Sequence, residues 1–247
     1  TVFEVSKISK QNHQGGMLES GTRSFPLAVG DGSKAIADLG RRRLIKTVTA
    51  VLALAACGRS QKWPALPVGS VVLALGDSVT FGTGAAPGQD WPTLLAAMTG
   101  WRIVNAGVPG DTAEAARQRI APLLEEHRPA LVMVELGGND FIHRRAQKLV
   151  KEDLRQIIQT IRASGASIVL VAVPELSLLG AVTRRPDDAP IYAELAREEK
   201  LPLIAEVFAE ILSRPELCAD QIHPNAKGYR QMADGFSAAL KKTGLLS

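Results

Sequence analysis

Val71-Val72-Leu73-Ala74-Leu75, running straight into Gly76-Asp77-Ser78, is the stretch on which the reading of this 247-residue chain turns. Five consecutive apolar residues, short and partly β-branched, predict a strand buried on both faces. A serine at the mouth of such a strand stands where open α/β sheets bind their ligands, beyond the carboxyl ends of the strands. There it is chemically inert until a base takes its proton and donors receive an oxyanion. Three motifs further along offer candidates for both roles: Asn105-Ala106-Gly107, Gly137-Gly138-Asn139-Asp140 and Asp220-Gln221-Ile222-His223-Pro224.

Outward from that strand, apolar runs alternate with helical patterns. Val71 to Leu75, Arg102 to Asn105, Ala130 to Leu136, Ser167 to Val173 and Leu201 to Ile204 read as strands. Helices are expected at about 91–99, 112–127, 146–164, 187–200, 206–213 and 225–242. Along 146–164, Leu149, Leu154, Ile157, Ile158 and Ile161 form one apolar face, with Lys151, Glu152, Arg155 and Gln159 turned to water. Such alternation implies an α/β fold, a parallel sheet covered on both sides. Ser78 then follows the first strand, Gly107 the second and Asn139 the third, while the Asp220–His223 loop precedes the last helix. One crevice can collect all of them.

The four motifs, in this order, resemble the SGNH (GDSL-type) hydrolase superfamily over roughly residues 70–240. Within it the chain is most similar to the bacterial periplasmic acyl-thioesterase/lysophospholipase and arylesterase group, on the strength of Asn105-Ala106-Gly107-Val108-Pro109-Gly110-Asp111-Thr112 and Val134-Glu135-Leu136-Gly137-Gly138-Asn139-Asp140. The resemblance implies a three-layer α/β/α domain with a flavodoxin-like, five-stranded parallel sheet over 70–247. It also implies a serine esterase acting on small acyl esters or thioesters through an acyl-enzyme, a chemistry that needs no cofactor. Two alternatives stay open: an O-acetylesterase of carbohydrate or peptidoglycan, and a non-catalytic envelope binding protein of the same fold.

Ser78 is the candidate nucleophile. It lacks the glycine two places later that the G-x-S-x-G elbow of α/β-hydrolases uses. Asp77 is expected to hydrogen-bond its own loop. His223 is the candidate base, with Asp220 holding its other ring nitrogen. Asp140 and His143 repeat the same Asp-x-x-His spacing, but the resemblance places the working pair near the C-terminus and Asp140 in the Asn139 loop. The family pattern assigns the oxyanion hole to the N–H groups of Ser78 and Gly107 and to the side-chain amide of Asn139. A residue without Cβ at 107 would let a substrate oxygen approach the main chain. Asp111 and Thr112 are expected to cap a helix. Phe81, Leu176, Leu178, Leu179 and Val182 are candidates for an acyl pocket or for the core.

Upstream, Arg41-Arg42-Arg43 and Lys46 precede a short apolar stretch, Thr47 to Ala56, and the small residues of Leu54-Ala55-Ala56-Cys57. This is the layout of a signal peptide over 41–56, too short for a permanent span. It also resembles the bacterial lipobox, which implies lipidation of Cys57 and membrane association through it, with the mature domain on the periplasmic side. Gly58 after the cysteine points to the outer membrane. Residues 57–69 are expected to form a tether, and 1–40 a non-native or disordered extension. The net charge of +4 lies entirely in residues 1–56, with eight Lys/Arg against four Asp/Glu, so the remainder is neutral and offers no electrostatic footprint for nucleic acid. Cys218 reads as a small apolar filler. The four histidines, at 13, 127, 143 and 223, approach no metal-chelating spacing.

Overall fold

Five parallel strands form one sheet in the computed structural model, which describes residues 62–175 and 186–247. They are β1 (Val71–Gly76), β2 (Arg102–Gly107), β3 (Leu131–Glu135), β4 (Ser167–Val171) and β5 (Leu203–Ile204), in the spatial order β2-β1-β3-β4-β5. This is the flavodoxin-like order, in which winding reverses between β1 and β3 and leaves a crevice at their carboxyl ends. The register there sets Gly76 beside Gly107 of β2 and Glu135 of β3. The fold class expected from the sequence is the one observed.

The unbroken apolar runs of β1 and β3 are buried because helices cover the sheet. Helices α3 (Ala113–His127), α5 (Gln147–Ala163) and α6 (Pro190–Glu199) pack in succession, while α2 (Trp91–Thr99) and α7 (Val207–Leu212) pack on the C-terminal α8 (Ala226–Thr243). Helix starts follow local chemistry. Asp90 accepts the Thr93 N–H at the head of α2, Thr112 the Ala115 N–H at α3, and Asn225 the N–H groups of Lys227 and Gly228 at α8.

Two expectations are corrected. The buried stripe of α5 is Val150, Leu154, Ile157, Ile158 and Ile161, whereas Leu149 stands 53% exposed. Starting the i, i+4, i+7, i+8 series at 150 keeps every member on one face, and 149 falls a full 100° off it. The second correction concerns the tether. From Lys62 onward it is part of the domain: the Trp63 and Leu66 N–H groups donate to the carbonyls of Thr243, the last residue of α8, and Leu245 just beyond it, and both side chains pack on the core. Two large apolar side chains have no reason to stay in water when a helix end offers both burial and free carbonyls. The segments expected as extension and signal, with Cys57, lie outside the described residues.

Candidate active site

Ser78 opens a single helical turn, α1 (Ser78–Phe81), immediately after β1. Asp77 caps that turn, its Oδ1 accepting the Val79 N–H at 2.9 Å, as expected of a residue serving its own loop. The serine hydroxyl lies 3.0 Å from Nε2 of His223, and Nδ1 of His223 lies 2.7 Å from Oδ2 of Asp220. With the imidazole proton on Nδ1, donated to the carboxylate, Nε2 presents a lone pair to the serine O–H.

The loop carrying the histidine is built by short-range bonds. Asp220 Oδ1 accepts the N–H groups of Ile222 at 2.9 Å and His223 at 2.8 Å, and Ala219 N–H donates to the His223 carbonyl. The Asn225 amide closes the loop on the carbonyls of Glu216 and Cys218. Partial burial works to raise the Asp220 carboxyl, but the hydrogen bonds from the His223 ring and the two backbone N–H groups outweigh it and hold it below the usual carboxylate range. Asp220 is therefore an anion at neutral pH. From the other side of the molecule's mouth, Tyr229 of α8 donates its hydroxyl to the Thr83 carbonyl at 2.7 Å and ties the loop after α1 to the same helix.

The competing pair stands elsewhere. Asp140 is fully buried in α4 (Gly138–Ile142), accepting the Ala113 N–H and the Arg145 guanidinium, both at 2.9 Å. His143 is exposed at the C-terminal end of that helix. Asp140 thus fastens the Asn139 loop to the start of α3. Cys218 is half-buried, its thiol directed at the carbonyls of Ile211 and Arg214 and pushed up by burial and by nearby carboxylates. That is the setting of a filler and not of a nucleophile.

Asn139 projects its amide between two other loops, donating to the Asp111 carbonyl at 2.8 Å and to Asp77 Oδ2 at 3.2 Å. The glycine assignment needs correction. The Gly107 N–H donates to Asn105 Oδ1 at 3.0 Å, and a Cβ at 107 would sit 2.2 Å from the Phe81 nitrogen. What fills the space beside Gly107 is the backbone of α1 and not a substrate oxygen. Three residues on, Gly110 adopts φ +82 with open space around it, and its N–H makes no hydrogen bond among the described residues. The carbonyl that takes the Asn139 amide belongs to the next residue, Asp111. Sequence reading passed over Gly110 although Gly110-Asp111-Thr112 carries a usable signal, a glycine directly ahead of a helix cap.

Beside the turn of α1 lies a buried polar layer. Glu135, at the end of β3, is fully buried and accepts the Thr80 hydroxyl at 2.7 Å, while its second oxygen has no partner among the described residues. Burial, reinforced by the neighbouring Asp77, pushes this carboxyl well above the usual carboxylate range, against the hydrogen bonds from Thr80. Burial likewise raises Asp77 to about 6, opposed by the Val79 N–H and by His223. Asp77 has the better hydrogen-bond donors and is the member of the pair that ionises.

Ser78, Asn139 and His223 face a cleft whose apolar wall is Ile142, Val173, Pro174, Phe208, Leu212 and Ile222. Phe81 is not part of it. The turn of α1 carries this residue toward β2, where its backbone meets Gly107, and the residue is 56% exposed. Leu176, Leu178, Leu179 and Val182 lie outside the described residues.

A flavodoxin-like sheet with Ser78, Asn139 and His223 gathered at its carboxyl edge has the architecture of the SGNH-type hydrolases. The chain belongs to the GDSL-like lipase/acylhydrolase family, whose model matches residues 74–231, and is thereby a carboxylic ester hydrolase. It is 33% identical over 177 residues to thioesterase 1/protease 1/lysophospholipase L1 of Escherichia coli (strain K12), covering 69% of this chain and 83% of that one. It is also 28% identical over 179 residues to an arylesterase of Vibrio mimicus, covering 69% and 88%. Among solved structures, TesA superposes with a TM-score of 0.62 at 30% identity, covering 70% of this chain and 99% of TesA.

Proposed function

We propose that the protein is a serine esterase that cleaves acyl esters or thioesters in two steps through an acyl-enzyme on Ser78. The observation that carries this reading is the line Ser78 Oγ, His223, Asp220, joined at 3.0 and 2.7 Å at the floor of the cleft. In the first step His223 Nε2 takes the hydroxyl proton as Oγ bonds to the acyl carbon and the carbonyl electron pair moves onto oxygen. Collapse of that intermediate breaks the bond to the alcohol or thiol, which leaves with the proton from His223. Water, deprotonated by the same nitrogen, then attacks the acyl-enzyme and releases the acid and free Ser78.

The oxyanion needs donors set in advance. The N–H of Ser78, the N–H of Gly110 and the Asn139 amide are the set best supported by the geometry. Of the two bonds the amide makes, the longer one to Asp77 is the one an oxyanion would replace. The apolar wall from Ile142 to Ile222 favours acyl chains beyond acetyl, and the E. coli and Vibrio relatives carry thioesterase, lysophospholipase and arylesterase names. Export to the periplasmic side and lipidation at Cys57 belong to the same proposal and are supported by the sequence alone, through Arg41-Arg42-Arg43, the apolar stretch and Leu54-Ala55-Ala56-Cys57.

The deciding experiment profiles p-nitrophenyl esters from acetate to palmitate, acyl-CoA thioesters and an acetylated polysaccharide, with wild type and Ser78→Ala. The expected result is a preference for medium or long chains, lost in Ser78→Ala with folding intact. Exclusive release of acetate from polysaccharide would transfer the protein to the O-acetylesterases, and near-normal turnover by Ser78→Ala would remove the nucleophile. For the anchor, the wild-type protein should partition with membranes and Cys57→Ser should not.

A further inference from the structure

Ser78, the Gly110 N–H and the Asn139 amide sit on three separate segments, and one side chain from outside them, that of Arg119, bonds beside two of them. Arg119 rises from the second turn of α3, a helix held in place by buried Ala113, Ala116, Ile120 and Leu124. Its Nε donates to Asp111 Oδ2 at 2.8 Å, and its Nη2 lies 2.6 Å from the same oxygen and donates to the Gly76 carbonyl at 3.0 Å. Gly76 is two residues before the nucleophile. Asp111 directly follows Gly110, and its carbonyl receives the Asn139 amide.

We infer that Arg119 is a positioning residue for ester hydrolysis, a guanidinium brace that sets the distance between the nucleophile turn and both oxyanion donors. The inference rests on the roles proposed above for Ser78, Gly110 and Asn139. The contacts form a closed ring: Arg119 to Gly76, along the chain to Asp77, across to Asn139, on to Asp111, and back to Arg119. In a closed ring no member shifts without straining the others, and Arg119 is the only member fixed by a long helix. A planar fork of N–H groups at fixed angles can serve a carbonyl on one loop and a carboxylate on another at once, which a lysine ammonium on a flexible stem does poorly. The rival explanation is that Arg119 only neutralises Asp111, whose side chain is 5% exposed.

Three variants separate these. Arg119→Met breaks the brace and strands a buried carboxylate. Arg119→Lys keeps the charge without the fork. Arg119→Met with Asp111→Asn removes the stranded charge while the brace stays broken. With p-nitrophenyl butyrate, Arg119→Met is expected to lower kcat by about 10²-fold, the typical loss for one oxyanion donor, with KM within about twofold. Arg119→Lys should fall between Met and wild type. The double variant should regain most of the lost melting temperature and none of the lost kcat. Recovery of kcat along with stability in the double variant, or a change in KM alone, would overturn the positioning role. Stoichiometric labelling of wild-type Ser78 by a fluorophosphonate tells the two levels apart. If wild type neither labels nor turns over, the parent reading fails; if it does both and Arg119→Met matches it, only this inference fails.

Discussion

Asp77 is a carboxylate 3% exposed to solvent, set between the nucleophile turn and the Asn139 amide. Its burial raises it from an ordinary 3.8 to about 6. The native state therefore keeps a proton that the unfolded chain has already lost between those values, and this group makes the protein less stable as pH rises from about 4 to about 6, with no further change above. Asp77→Asn has no such slope. Its melting temperature relative to wild type should climb between pH 4 and pH 7, measured as a difference at each pH so that the other groups largely cancel, while kcat falls because an amide cannot accept from Asn139 as a carboxylate does. A difference that is flat or declines with pH would contradict the burial of that charge. At the same scale the two Asp-x-x-His pairs are separable: His223→Ala should cut kcat by several orders of magnitude, and His143→Ala should leave it within about threefold. The reverse ranking would move the base into the Asn139 loop.

Among the elements, α1 is four residues long and carries Ser78, the proposed nucleophile, so its support is disproportionate to its size. Gly76 and Gly107 let it lie flat on the ends of β1 and β2, since a Cβ at either would fall within 2.5 Å of Thr80 or Phe81 atoms. Gly107→Ala should accordingly lower both stability and kcat, visible as a depressed melting temperature with a weakened fluorophosphonate labelling rate. Gly110→Ala meets no neighbour, but it places a side chain at φ +82, costing of order 1 kcal/mol. Equal or larger loss of stability at 110 than at 107 would show that the close approach to α1 is not what Gly107 serves. This pair also marks the limit of what the sequence discloses. The motif Asn105-Ala106-Gly107 announces that a glycine matters but not what occupies the space beyond its missing Cβ, because that is decided by a segment 26 residues away. Strands β1 and β3 were legible since continuous burial leaves a continuous apolar run. The short helices α1 and α4 were not, being too brief to show a period. Phe81 was misplaced for the same reason: without the turn of α1, nothing in the chain says toward which strand its ring will swing.

For the whole molecule, the candidate site proved more legible than its surroundings. Ser78 and Asn139 were readable as residues following strands that a doubly wound sheet must gather, and Asp220 and His223 as a pair in the loop before the last helix. Arg119 and Glu135 were hidden, one on the flank of a helix and the other inside a strand, where charge and carboxyl look like surface and accident. The boundary of the domain was also obscured, because residues 57–69 hold the Gly58, Pro64, Pro67 and Gly69 of a linker around Trp63 and Leu66. These two side chains fasten the start of the domain to its end, so Trp63→Ala combined with Leu66→Ala should lower the melting temperature by several degrees and leave kcat/KM for a soluble ester unchanged. An unaltered melting temperature would mean that the segment merely rests on the core.

That fastening also sets the edge of the sheet at which the described chain enters the domain. Trp63, Leu66 and Gly69 are bonded at the far end of α8 and beside Gly100, which is the edge of the sheet where the strands begin, whereas Ser78 stands where they finish. Six residues of β1 separate the two edges by about 20 Å. Only four residues, 58–61, intervene between Cys57 and Lys62. A lipid on Cys57, as proposed, would thus tether the enzyme from the edge of the sheet opposite Ser78, so that the anchor and the cleft do not compete for the same edge of the domain.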